Sequence, residues 1–180
     1  MTRLMDILIS LVGLFLLLPL LLIILLIGYF DTGSPLFRQK RVGLNLKIFV
    51  ILKFRTMKIK TPSSSTHLID TSNITPSGYF LRKFKIDEFP QLWNVLKGDM
   101  SLVGPRPCLL NQKKLINERK KRKVFKVRPG ITGLSQVSDI NMSKPILLAK
   151  TDLKMINKMN LFYYYYYIII TFLLIFKKKP

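Results

Sequence analysis

The sequence predicts an α+β, mainly helical fold in which an amino-terminal membrane helix precedes a small polar domain with one short β-hairpin and interfacial amphipathic helices. Three observations carry this. From Ile7 to Ile27 there are 21 consecutive uncharged residues, mostly Leu and Ile, and roughly 20 such residues suffice to span a bilayer. Apolar and basic stretches then alternate on either side of a turn at Gly43 and Asn45, as in paired strands. Further on, Phe89, Leu92, Trp93 and Leu96 recur at helical spacing.

The first segment, residues 1–30, also explains the composition. A hydrophobic content of 49% in 180 residues exceeds what one small soluble domain needs. The apolar run continues into Gly28, Tyr29 and Phe30 instead of ending at a small-residue cleavage site, so it reads as a retained anchor and not a signal peptide. Pro19 lies well inside it, where the ring removes a backbone hydrogen bond and predicts a bend. Arg3 precedes the run and Arg38, Lys40, Arg41 and Lys47 follow it, so the distribution of positive charge imposes no single crossing. Two readings fit: a re-entrant hairpin helix that enters and leaves on one side, or a kinked spanning helix.

The middle of the chain, residues 31–160, reads as a compact domain. Leu36–Arg41 and Lys47–Phe54 form the expected hairpin, and Lys58–Ser77, rich in Ser and Thr with Pro62 and Pro76, a surface loop. A helix is expected to begin near Asp87, with Pro90 in its first turn and Gly98 at its end. After a loop at Gly104–Pro107, residues 109–126 predict a basic helix whose most charged stretch is Lys120 to Lys123. Beside an anionic bilayer each such cation contributes about 1 kcal/mol of attraction. The last segment, residues 161–180, holds an apolar stretch with five consecutive tyrosines. It is short for a span, and tyrosine favours the headgroup level, so an interfacial helix is expected.

A formal charge of +21 draws the chain toward nucleic acid, an anionic membrane surface or phosphorylated small molecules. The long apolar anchor argues against nucleic acid. A single cysteine, Cys108, excludes an internal disulfide, and with a single histidine, His67, it leaves no cluster for structural zinc. A divalent metal would have to be held by carboxylates, as magnesium is.

The residues best suited to chemistry are Asp87 and Glu88, which follow Arg82, Lys83 and Lys85. A helix amino terminus and adjacent cations both favour an ionised carboxylate, usable as a nucleophile at neutral pH. Taken alone, such a pair more often reads as an N-cap with an acidic first turn. Arg106 sits between Pro105 and Pro107, which restrict its backbone and suit it to hold a phosphate or a planar base. Lys53 and Arg55, with Thr56, offer two cations and a hydroxyl, and Arg128 opens a second basic turn. The glycines match neither a Walker loop nor a dinucleotide fingerprint.

Taken together these motifs resemble the bacterial sugar transferases, the monotopic polyprenyl-phosphate phosphoglycosyl transferases. The likeness runs through Phe37-Arg38-Gln39, Gly43, Lys53 to Met57, Leu81-Arg82, Asp87 to Leu92, Asn94 to Pro107, Arg128 to Gly133 and Gln136-Val137. It implies transfer of a sugar 1-phosphate from a UDP-sugar to polyprenyl (undecaprenyl) phosphate with release of UMP, initiating surface-polysaccharide or glycoprotein glycan synthesis. By the same resemblance Asp87 is the nucleophile and Glu88 binds or orients Mg2+. Lys53, Arg55, Arg82, Arg106, Arg128 and Gln136 are the substrate-binding candidates. The implied partners are the UDP-sugar, the polyprenyl phosphate and the lipids of a bacterial cytoplasmic membrane, with the catalytic domain facing the cytoplasm and a homodimer left open. The family breaks its membrane helix at Ser-Pro, where this chain has Leu18-Pro19. After Gln136-Val137 it continues Asn-Gly-Arg-Asn, where this chain has Ser138-Asp139-Ile140-Asn141, without the arginine. The alternative these departures raise is a catalytically impaired scaffold, against which intact Asp87, Glu88 and Arg106 argue.

Overall fold

The computed structural model describes residues 2–59, 61 and 71–177. The first helix, α1, runs from Thr2 to Thr32 and is helical on both sides of Pro19. It is long and apolar enough to cross a membrane. Its outer face exposes Leu8, Leu11, Phe15, Leu18, Leu22 and Leu26. The opposite face is packed on the domain over most of its length. Near its start, Arg3 donates to the carbonyls of Val95 at 2.6 Å and Leu96 at 3.0 Å. One turn later the buried Asp6 carboxylate accepts from Ser101 Oγ (3.0 Å), the Leu102 amide (2.9 Å) and the Tyr164 hydroxyl (2.8 Å). Three donors offset the cost of burying that charge. Further along, Leu21 and Ile24 pack with Phe54 and Leu81.

The expected hairpin forms. Strand β1 (Leu36–Val42) pairs antiparallel with β2 (Ile48–Phe54), Leu36 opposite Phe54, about a 3₁₀ turn in which Asn45 and Leu46 have positive φ. Half of the segment that follows, read from sequence as a loop over Lys58–Ser77, lies outside the described residues, and His67 with it. Its end is structured: helix α2 (Pro76–Lys83) begins within it, N-capped by Thr75, whose hydroxyl accepts from the Gly78 amide at 3.0 Å.

The helix expected from Asp87 starts instead at Gln91. Pro90 has no N–H with which to continue an α-helical ladder, so the bonds around it run from i+3 to i: Glu88 to Lys85, Phe89 to Ile86, Leu92 to Phe89. Residues Ile86–Glu88 thus form a separate 3₁₀ turn, entered through Lys85 in the left-handed region (φ 55), and α3 spans Gln91–Lys97. Gly98 ends α3 at φ 89, a conformation glycine adopts without strain.

Strand β3 (Ser101–Val103) pairs in parallel with β5 (Gly130–Thr132), while β4 (Cys108–Leu109) joins the free edge of β1, giving the order β2-β1-β4. Pairing with β1 takes Leu109 out of the basic helix expected over 109–126. That helix, α4, spans only Lys113–Lys121, and left-handed Lys123 breaks it from a 3₁₀ turn at Val124–Lys126. The short α5 (Leu134–Val137), α6 (Pro145–Asn157) and α7 (Leu161–Lys177) complete the chain. In α7, Tyr164 and Tyr167 enter the core with Phe49, Val95 and Met100, while Phe162, Tyr165, Tyr166, Ile169, Phe172 and Leu173 form an exposed stripe. The chain is therefore mainly helical with a small sheet and a long apolar helix at its start, as the sequence predicts.

Candidate active site

Asp87 and Glu88 are presented by the 3₁₀ turn between α2 and α3, and β2 supplies their cation. The placement depends on Asn94. Its side chain caps the open edge of β2 as a strand residue would, accepting from the Leu52 amide at 2.9 Å and donating to the Val50 carbonyl at 2.8 Å. This locks α3, and with it the turn, against the strand end that carries Lys53. The Lys53 ammonium lies 2.5 Å from Glu88 Oε1 and 3.9 Å from Asp87 Oδ2. Arg106 reaches the same Glu88 oxygen at 3.4 Å. Arg82 donates to Thr56 Oγ1 at 2.8 Å, and its charge acts on Asp87.

The two carboxyls are tuned in opposite directions. Burial pushes Asp87 up to about 6, against the pull of Lys53 and with the repulsion of Glu88. Burial opposes ionisation of Glu88 too, but Lys53 and Arg106 outweigh it and draw that carboxyl down to about 2. This corrects the sequence-based electrostatics: the environment of Asp87 disfavours its charged form instead of favouring it. Above about pH 6 it is ionised all the same.

The loop Gly104–Pro107 is held by every one of its carbonyls. Gln136 donates to Gly104 O at 3.4 Å, the Gly130 amide to Pro105 O at 3.0 Å, Arg119 to Arg106 O at 2.7 Å, and Arg41 to Pro107 O at 3.0 Å. Gly130 is required by the closeness of this packing, because a Cβ there would meet the Gly104 nitrogen at 2.0 Å. Arg119 is itself buried and bound to Asp152, 2.7 and 2.9 Å from its Oδ2. Asp152 Oδ1 accepts from Ser135 at 3.2 Å.

The structure therefore gathers Asp87, Glu88, Lys53, Arg82 and Arg106, and places three candidates elsewhere. Arg55 donates to Ser34 O at 2.8 Å in the connection from α1 to β1. Arg128 donates to Gly98 O at 2.8 Å, at the end of α3. Gln136 donates to the Gly104–Pro107 loop, and it also lines, with Arg82, a cleft beside the Asp87 turn. A family model described as bacterial sugar transferase matches residues 1–178.

The chain belongs to the bacterial sugar transferase family. The match extends through the carboxyl-terminal segment, beyond Val137, where the recognisable motifs end. Among relatives, a Bacillus subtilis protein named uncharacterized sugar transferase EpsL is 48% identical over 110 residues, covering 61% of this chain and 54% of its own. The galactosyl transferase CpsE of Streptococcus agalactiae is 38% identical over 146 residues, covering 73% and 32%. A Xanthomonas campestris protein named UDP-glucose:undecaprenyl-phosphate glucose-1-phosphate transferase is 42% identical over 122 residues, covering 64% and 25%. The chain thus spans about half of the first relative and a third or less of the other two. In this member of the sugar transferase family, sequence reading missed Arg119, Arg41 and Asn94. Arg119 sits in a run of basic residues that reads as a solvated face, and only the two prolines beside Arg106 signalled that its loop would need support.

Proposed function

We propose that the chain transfers a sugar 1-phosphate from a UDP-sugar to a polyprenyl phosphate. The observation that carries this is the pairing of a half-buried Asp87, ionised above about pH 6, with Lys53, Arg82 and Arg106 around it, in a family with a relative named for that reaction. Asp87 attacks the β-phosphorus, the bond to the bridging oxygen breaks, and UMP leaves with that electron pair. Lys53 and Arg106 neutralise phosphate oxygens, where fixed cations stabilise charge without reorganising. A phosphate oxygen of the lipid then attacks the same phosphorus and restores the Asp87 carboxylate.

Magnesium fits this donor set. Among the described residues no group of three His, Cys, Asp or Glu assembles, but magnesium commonly takes only one or two protein carboxylates and completes its shell with substrate phosphate and water. Glu88, with Asp87 beside it, would hold the ion, which when bound screens the diphosphate. Glu88 keeps its charge for that purpose at any physiological pH, since Lys53 and Arg106 hold its pKa near the bottom of the carboxylate range.

The test is UMP release from a panel of UDP-sugars by detergent-solubilised protein with undecaprenyl phosphate and magnesium. Lipid-dependent release is expected from at least one donor, which would identify the sugar; none from any donor by folded protein would sink the reading. The pH profile of that release is expected to fall on the acid side through about 6 as Asp87 takes its proton. Because Lys53 lowers the Asp87 pKa, Lys53→Met should move this limb to higher pH. An unmoved limb would remove Asp87 from the rate-controlling titration.

The topology belongs to the same reading, with α1 as a re-entrant element on one leaflet, the catalytic domain at the cytoplasmic surface and α7 interfacial. A helix standing across a bilayer carries its far end roughly 30 Å from the near surface. Here Arg3 and Asp6 at one end and Ile24 toward the other pack on the same domain. In a Cys108→Ser background, cysteines placed at exposed Leu4 and at Ser34 should both react with an impermeant maleimide from one face of sealed vesicles. Labelling from opposite faces would establish a crossing.

A further inference from the structure

Beside the Asp87 turn, α2, α5 and the carboxyl-terminal end of α7 enclose a cleft of about 400 Å³. Its two sides differ in chemistry. One carries the cations Arg82, Lys83 and Lys85; the other sets the apolar Val137, Leu174 and Ile175 beside the polar Gln136 and Thr171. We propose that this cleft seats the lipid acceptor, with the phosphate on Arg82, Lys83 and Lys85 and the first isoprene units along Leu174 and Ile175. The proposal rests on the transfer reading above and adds to it where the acceptor enters.

A ligand with an anionic head and a hydrocarbon tail satisfies both walls at once. A soluble phosphate would leave the apolar wall in water, and a neutral lipid would forgo the charge-assisted hydrogen bonds of the arginine and lysines. Arg82 contributes to this wall and its charge also acts on Asp87, so an acceptor phosphate held there lies beside the group it must relieve. The α7 wall is fixed to the domain by a hydroxyl contact between Thr171 and Thr132 of β5. Along its outer side the stripe of Phe162, Ile169, Phe172 and Leu173 stays exposed, giving the rest of a long chain an apolar path out of the cleft. A monoester head, unlike the diester of a bilayer phospholipid, carries up to two charges for three cations, and this favours the polyprenyl monophosphate over surrounding anionic lipid.

The test is direct binding, read without nucleotide sugar. The full chain is placed in phosphatidylcholine nanodiscs, undecaprenyl phosphate is titrated in, and retention is followed by native mass spectrometry. Two variants are compared with wild type: Leu174→Asn combined with Ile175→Asn, and Lys83→Glu, which lies on an exposed position of α2 with its ammonium near the Phe84 ring. Each is expected to weaken retention at least tenfold, and neither phosphatidylglycerol nor inorganic phosphate at equal concentration should displace the ligand. Wild-type retention in both variants, or displacement by phosphatidylglycerol, would overturn the proposal. Wild-type protein that retains the lipid in this cleft but releases no UMP would overturn the transfer reaction and leave the cleft standing, so the two failures are distinguishable.

Discussion

Asp87→Asn abolishes lipid-dependent UMP release in the expected result, by a factor on the order of 10⁴ or more, the scale on which removal of one essential group acts. The amide has the same shape but no charge with which to attack phosphorus. The variant should also be well folded, which separates lost chemistry from lost structure. Asp87 pairs with Lys53 at 3.9 Å, and Lys53 keeps its shorter contact with Glu88. Stability carries a sign of its own. The Asp87 pKa rises from 3.8 to about 6 on folding, so at pH 7 ionised Asp87 costs the folded state energy that the neutral amide does not. The variant should therefore melt at or above the wild-type temperature at pH 7, and the gap should close as pH falls through about 6 toward 4. Release within tenfold of wild type would remove Asp87 from the nucleophile's role.

The second large effect is expected at Arg119. Replacing it with Met strands the Asp152 carboxylate in the core, and breaking a buried pair in this way costs roughly 3–5 kcal/mol. For a chain of this size that is a fall in melting temperature on the order of 10 °C. It also removes the donor to the Arg106 carbonyl. The double variant Arg119→Met, Asp152→Leu separates the two effects: packing without an orphaned charge should recover most of the stability, while the KM for UDP-sugar stays raised because Arg106 has lost its support. A double variant with wild-type KM would reduce Arg119 to a purely structural role.

The parts of this fold legible in the sequence are those with a long repeat or a dense motif. The apolar run of α1, the alternation of the hairpin and the apolar, tyrosine-rich stretch that becomes α7 each extend over enough residues to be seen. The parallel pair of β3 and β5 has three residues per strand, too few for alternation to register. The start of α3 lies later than the apolar spacing predicts, because that spacing continues back through Phe89 while Pro90 withholds the amide an α-helix would need. At the site, Asp87, Glu88 and Arg106 carry their own local signals. Lys53 is legible only as part of a motif, since its pairing with Glu88 depends on Asn94 docking α3 to the edge of β2.

The grip on the Gly104–Pro107 carbonyls has a kinetic meaning. Its donors come from β1, α4, the start of β5 and α5, segments spread over almost a hundred residues of chain. None of these bonds can form until its own segment has docked, so the geometry of Arg106 behaves as a coincidence detector for assembly. A nascent or partly unfolded chain can carry Asp87 on its local turn and still lack the positioned arginine. Competence would then arrive in one late step, when the last of the four segments closes, and an incomplete chain would not yet have its full set of positioned charges.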